Sequence, residues 1–60
     1  MELRLKKETY REGDRVVVTD PDGGTFEGIL KDILSTQIFV QGEETEKFFF
    51  TKQLIMRHAK

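Results

Sequence analysis

Cysteine is absent from this chain of 60 residues. That removes disulfides, CxxC redox chemistry and thiolate zinc sites in one step. His58 is the only histidine, so a histidine-rich metal centre is excluded as well. No apolar run approaches the roughly 20 residues that a membrane-spanning helix needs. The opening MELRLKKETYREG has no apolar stretch of the kind a secretory leader carries, and the expectation is a cytoplasmic protein without membrane association. A basic excess is also missing. The net charge of −1 argues against a globally basic nucleic-acid binder, because neutralising phosphates favours surplus cations.

What charge there is lies unevenly. Residues 16–46 carry Asp20, Asp22, Glu27, Asp32, Glu43, Glu44 and Glu46 against Lys31 alone, whereas residues 47–60 carry Lys47, Lys52, Arg57 and Lys60 with no acid. The two termini together could form a local basic face; the alternative is an ordinary solvated surface. A chain this short buries only about 60% of the surface its unfolded form exposes. With disulfides and thiolate or histidine-rich metal sites excluded, oligomerisation is the device left open for adding stability, although many barrels of this size fold alone.

Present in quantity are β-branched and aromatic runs separated by turn residues at short spacing, from Gly13 to Met56. The pattern predicts strands at Arg15–Thr19, Thr25–Leu34, Gln37–Gln41, Glu46–Thr51 and Leu54–Arg57. Asp20-Pro21-Asp22-Gly23-Gly24 is the clearest turn, since proline sets φ and Asp-Gly suits a tight hairpin. Gly28 inside the second strand marks a bulge or sharp bend. Residues 1–12 read as an arm or a short edge strand anchored by Tyr10, residues 13–57 as the barrel and 58–60 as a tail, all in one domain. The fold class expected is all-β, a five-stranded antiparallel small barrel, closed or nearly so.

With these residues in view, the chain resembles the SH3-like small barrels, and two families among them. Gly13-Asp14-Arg15-Val16-Val17-Val18, followed by Gly23-Gly24 and Gly28-Ile29, resembles the opening of a KOW-type module. Asp22-Gly23, Gly28, Leu30 and Ile38-Phe39-Val40 resemble the first motif of the Sm-like family, which includes bacterial Hfq. The resemblance implies an SH3-like or Sm-like barrel and a role in RNA binding. The chain departs from both patterns where RNA would be held. Phe49-Phe50-Thr51 stands where the Hfq second motif has Tyr-Lys-His, and the loops at Asp20–Gly24 and Gly42–Glu46 are acidic and should repel phosphate.

Catalysis finds no footing. The carboxylates Asp20, Asp22, Glu43, Glu44 and Glu46 fall in exposed turns, where nothing shifts a pKa toward acid–base work. No nucleophile–base pair stands near His58, and no cofactor is implied. The chemical oddity is Phe48-Phe49-Phe50. On a strand these rings alternate in direction. Either Phe48 and Phe50 fill the barrel while Phe49 packs under the N-terminal arm with Tyr10, Leu3 or Leu5, or Phe49 joins Phe39 on the outer face. An outer pair would meet a partner or another subunit, or stack bases. Lys47 falls on the Phe49 face by alternation. The candidate binding residues are therefore Phe39, Lys47, Phe49, Lys52 and Arg57. The near-neutral charge favours a protein-interaction or self-assembly module, with a protein partner or a second copy. The alternative is an RNA or single-stranded nucleic-acid module of Sm-like or KOW type.

Overall fold

The turn residues and β-branched runs resolve into seven strands in a computed structural model that describes residues 1–59. They are β1 (Glu2–Leu5), β2 (Glu8–Arg11), β3 (Arg15–Thr19), β4 (Thr25–Ile33), β5 (Gln37–Gln41), β6 (Glu46–Phe50) and β7 (Ile55–His58). All pairings are antiparallel. There is no helix among the described residues, hence none long and apolar enough to cross a membrane.

Five strands form one sheet in the order β6-β5-β4-β3-β7, and β1 and β2 form a separate two-stranded sheet. The five-stranded sheet matches the sequence expectation, but residues 1–12 are a hairpin rather than a single arm or edge strand. Leu3 and Leu5 face Tyr10 and Glu8 across it. Tyr10 is buried at 1% exposure and belongs to the core with Val16, Val18, Leu30, Ile33, Ile38 and Val40. Each such aliphatic side chain contributes about 1.5–3 kcal/mol relative to an exposed one.

Phe49 from one edge of the sheet and Met56 from the other pack against this same core, so the sheet curls around it. It does not close. No ladder joins β6 to β7, and a closed barrel wall is not formed.

Asp20–Gly24 turns as expected. Gly23 donates to the Asp20 carbonyl at 2.9 Å, Asp20 donates to the Gly24 carbonyl at 2.7 Å, and Gly23 sits at φ +94°. The Asp22 carboxylate accepts the Gly24 amide at 3.1 Å, so this acid is spent on holding the turn. The register shift in β4 falls between Leu30 and Asp32, two residues beyond Gly28. Gly28 serves a different purpose: a Cβ there would clash with the Gln41 carbonyl oxygen, so the end of β5 passes over a backbone with no side chain.

Candidate binding surface

The direction of every β6 side chain follows from the hairpin that leads into it. The Gly42 amide donates to the Thr45 carbonyl at 2.8 Å, leaving only Glu43 and Glu44 in the loop. That register places Phe49 opposite Ile38, Phe48 opposite Phe39 and Lys47 opposite Val40. Ile38 and Val40 are fully buried, so Phe49 points to the core side while Phe48 and Phe50 point out. The arrangement with Phe48 and Phe50 filling the barrel is thus reversed: they are 53% and 63% exposed. The alternative pairing of Phe49 with Phe39 on the outer face is corrected as well, since Phe39 faces Phe48.

The outer rings touch in sequence. Phe39 and Phe48 have centroids 5.9 Å apart, and Phe48 and Phe50 meet edge to face at 5.8 Å and 87°. Phe39 is half-buried and also faces Asp32 on β4. Inside, Phe49 is half-buried and lies 6.0 Å from Phe26. Lys47 does share the Phe49 side of the strand, as alternation requires; its Nζ stands 5.1 Å from the Phe26 ring centroid.

The remaining candidates lie elsewhere. Lys52 is exposed in the turn after β6 and lines a cleft of about 450 Å³ with Phe48, Phe50, Pro21, Leu54 and Ile55. The cleft occupies the gap between β6 and the β3–β7 end of the sheet. Arg57 is exposed on β7 opposite Val17. Among the described residues no hydrogen bond, ion pair or stacking contact joins Lys47, Lys52 and Arg57 into one patch. Lys60 of the basic cluster lies outside the described residues. Sequence reasoning missed Phe48 and Phe50 as surface groups. A two-residue loop ties Phe49 to the face of Ile38, but that this face of β5 is the buried one is decided by tertiary packing.

The main chain of β6 is as informative as its side chains. Hydrogen bonds from Gly42 to Thr45 and from Thr51 to Thr36, at 2.8 and 2.9 Å, bracket the β5–β6 ladder. Alternation between them makes Val40/Lys47 and Ile38/Phe49 the hydrogen-bonded pairs. The N–H and C=O groups of Glu46, Phe48 and Phe50 therefore face away from β5, toward the open edge.

The other edge is covered. The Ala59 amide bonds to the Arg15 carbonyl at 2.9 Å, which by the same alternation turns the Met56 and His58 backbone outward from β3. The Tyr10 hydroxyl donates to the Met56 carbonyl at 3.0 Å. His58, expected in a tail, ends β7 instead. Its ring stacks on Tyr10 at 4.3 Å and 19°, and its Nε2 contacts the Thr9 carbonyl at 3.1 Å. Burial first, and the Glu8 carboxylate second, raise the Tyr10 phenol above its ordinary value of 10.0.

No cluster of three or more histidines and carboxylates that could hold a metal ion occurs among the described residues. Comparison with family models, with curated proteins and with solved structures finds no match to this chain. The likeness to KOW-type and Sm-like domains therefore stands on its motif residues alone.

Proposed function

We propose that this chain is a non-catalytic protein-interaction or self-assembly module, built on an SH3-like small-barrel scaffold, that engages its partner through β6. The observation that carries this reading is the coincidence of two features on one strand. Phe48 and Phe50 present exposed rings continuous with Phe39, and the same two residues direct unpaired main-chain groups to an open edge. Strand addition uses both at once: main-chain hydrogen bonds supply affinity and alternate side chains supply specificity. Covering the exposed part of each ring contributes about 1–2 kcal/mol.

The nucleic-acid alternative draws support from Lys47, Phe26 and Phe49, where a cation adjoins two aromatic rings. Against it, Asp32 faces Phe39, and Glu46 shares a face with Phe48. Carboxylates in those places oppose a phosphate backbone.

Panning a library of random peptides against the immobilised protein tests the proposal. Extended apolar peptides should be recovered that slow hydrogen exchange at the Phe48 and Phe50 amides and that fail to bind Phe48→Thr and Phe50→Thr. Recovery of none, together with salt-sensitive binding of a single-stranded oligonucleotide lost in Lys47→Ala, would replace it with the nucleic-acid reading.

A further inference from the structure

We infer that the partner of β6 is a second copy of this chain, joined edge to edge about a two-fold axis through Phe49; this rests on β6 being the interaction strand. An antiparallel ladder requires open-edge groups to meet open-edge groups. Glu46, Phe48 and Phe50 must then face one another, or Lys52 in the turn that follows β6. Two two-fold registers satisfy this, one centred on Phe48 and one on Phe49.

A register centred on Lys47 does not satisfy it, because it sets Phe50 against Glu44 of the hairpin loop; it also sets two lysines directly opposite, which is repulsive. Centred on Phe48, the pairing sets each Glu46 against a Phe50 ring, and the opposite charges it brings level, Glu44 and Lys52, both lie outside β6. Centred on Phe49, it places Phe48 against Phe50 of the second copy twice, and Glu46 against Lys52 twice. Only this last register gives the charged residue at the start of β6, Glu46, an opposite charge while also pairing the rings.

The charges it uses are uncommitted within the chain. Among the described residues neither Glu46 nor Lys52 takes part in an ion pair. The neighbour of Glu46 within its own sheet is Gln41, which is uncharged. The assembly also has a reason to stop at two. A two-fold contact consumes β6 on both copies and closes on itself. The opposite edge is blunted where the Tyr10 hydroxyl occupies the Met56 carbonyl, so it does not template further strands.

Sedimentation velocity from low micromolar to submillimolar concentration tests this with a charge swap. Wild type should pass from monomer to dimer and no further. Glu46→Lys or Lys52→Glu alone sets like charges opposite at two places and should weaken the dimer at least about tenfold, a change of about 1.4 kcal/mol. The double variant E46K/K52E restores opposite charges and should return to within about threefold of wild type. Both positions are exposed, and amide spectra of each variant check that the fold is kept.

A wild-type chain that stays monomeric across the range, or a double variant no better than the singles, overturns the inference. A monomer whose β6 still captures the selected peptides leaves the interaction reading standing while removing the second copy. A monomer that captures none removes both.

Discussion

The Tyr10 hydroxyl donates to the Met56 carbonyl at 3.0 Å, tying the N-terminal hairpin to the last strand across 46 residues of sequence. One oxygen thus locks the hairpin over the core and occupies the β7 edge. Tyr10→Phe keeps the buried ring and loses only the bond, so a destabilisation of about 1 kcal/mol is expected. Tyr10→Ala loses the ring as well and should cost about 3–5 kcal/mol. Urea unfolding, with the slope unchanged in the phenylalanine variant, measures both.

The same phenol sets an alkaline limit on stability. Its folded pKa lies above the unfolded value near 10, because burial disfavours the phenolate. The folded state therefore favours the protonated form. Its contribution is complete below pH ~10 and is lost as pH rises through the folded value. Tyr10 is the only tyrosine, so absorbance near 295 nm follows this one group during the titration. Tyr10→Phe should remove that part of the alkaline stability loss that tracks the phenolate signal; an identical loss in both proteins would refute the assignment.

The three consecutive phenylalanines are expected to rank by direction rather than by chemistry. Phe49→Ala empties a site packed against the core and Phe26, and should cost about 2 kcal/mol or more. Phe48→Thr and Phe50→Thr alter exposed positions while keeping a β-branched residue, and should stay within about 1 kcal/mol of wild type. The comparison belongs at dilute concentration, below the range in which the proposed dimer is expected to form. The opposite ranking would mean that the strand register is off by one.

Two glycines should respond with opposite signs. At Gly28 an added methyl group clashes with the Gln41 carbonyl oxygen and meets the Gly42 nitrogen at 3.0 Å, both main chain. Gly28→Ala must push β5 away and is expected to cost at least about 3 kcal/mol. At Gly24 the nearest atoms are aspartate oxygens at 3.5 and 3.7 Å, an ordinary contact. Gly24→Ala should be neutral or stabilise by up to about 1 kcal/mol, because it restricts the unfolded chain. Thermal melts of the pair decide this.

How legible the fold was depended on whether a turn carried conventional chemistry. Asp20–Gly24 and Gly42–Thr45 contain the glycines and acidic residues that turns prefer, and the strands around them lie within a residue or so of expectation. The β1–β2 hairpin escaped because its loop is Lys6-Lys7. Lys6 adopts φ 55°, a conformation that glycine or asparagine usually announces and lysine does not. Gly28 was correctly singled out, but its role was not: the bend it suggested is a close approach of main chains that lies outside local sequence.

Alternation along Lys47–Phe50 was determined by the sequence itself, since a strand turns successive side chains to opposite faces. Local pattern establishes that Phe48 and Phe50 share a face and that Phe49 and Lys47 share the other. Which face meets the core is a question of register, and three apolar rings in a row do not answer it. Tertiary structure decides it through β5, where buried Ile38 and Val40 hold Phe49 and Lys47 opposite them. The same holds for the edges. Sequence supplies two terminal strands of one sheet, and only the packed hairpin, with Tyr10 reaching Met56, covers one and leaves the other open.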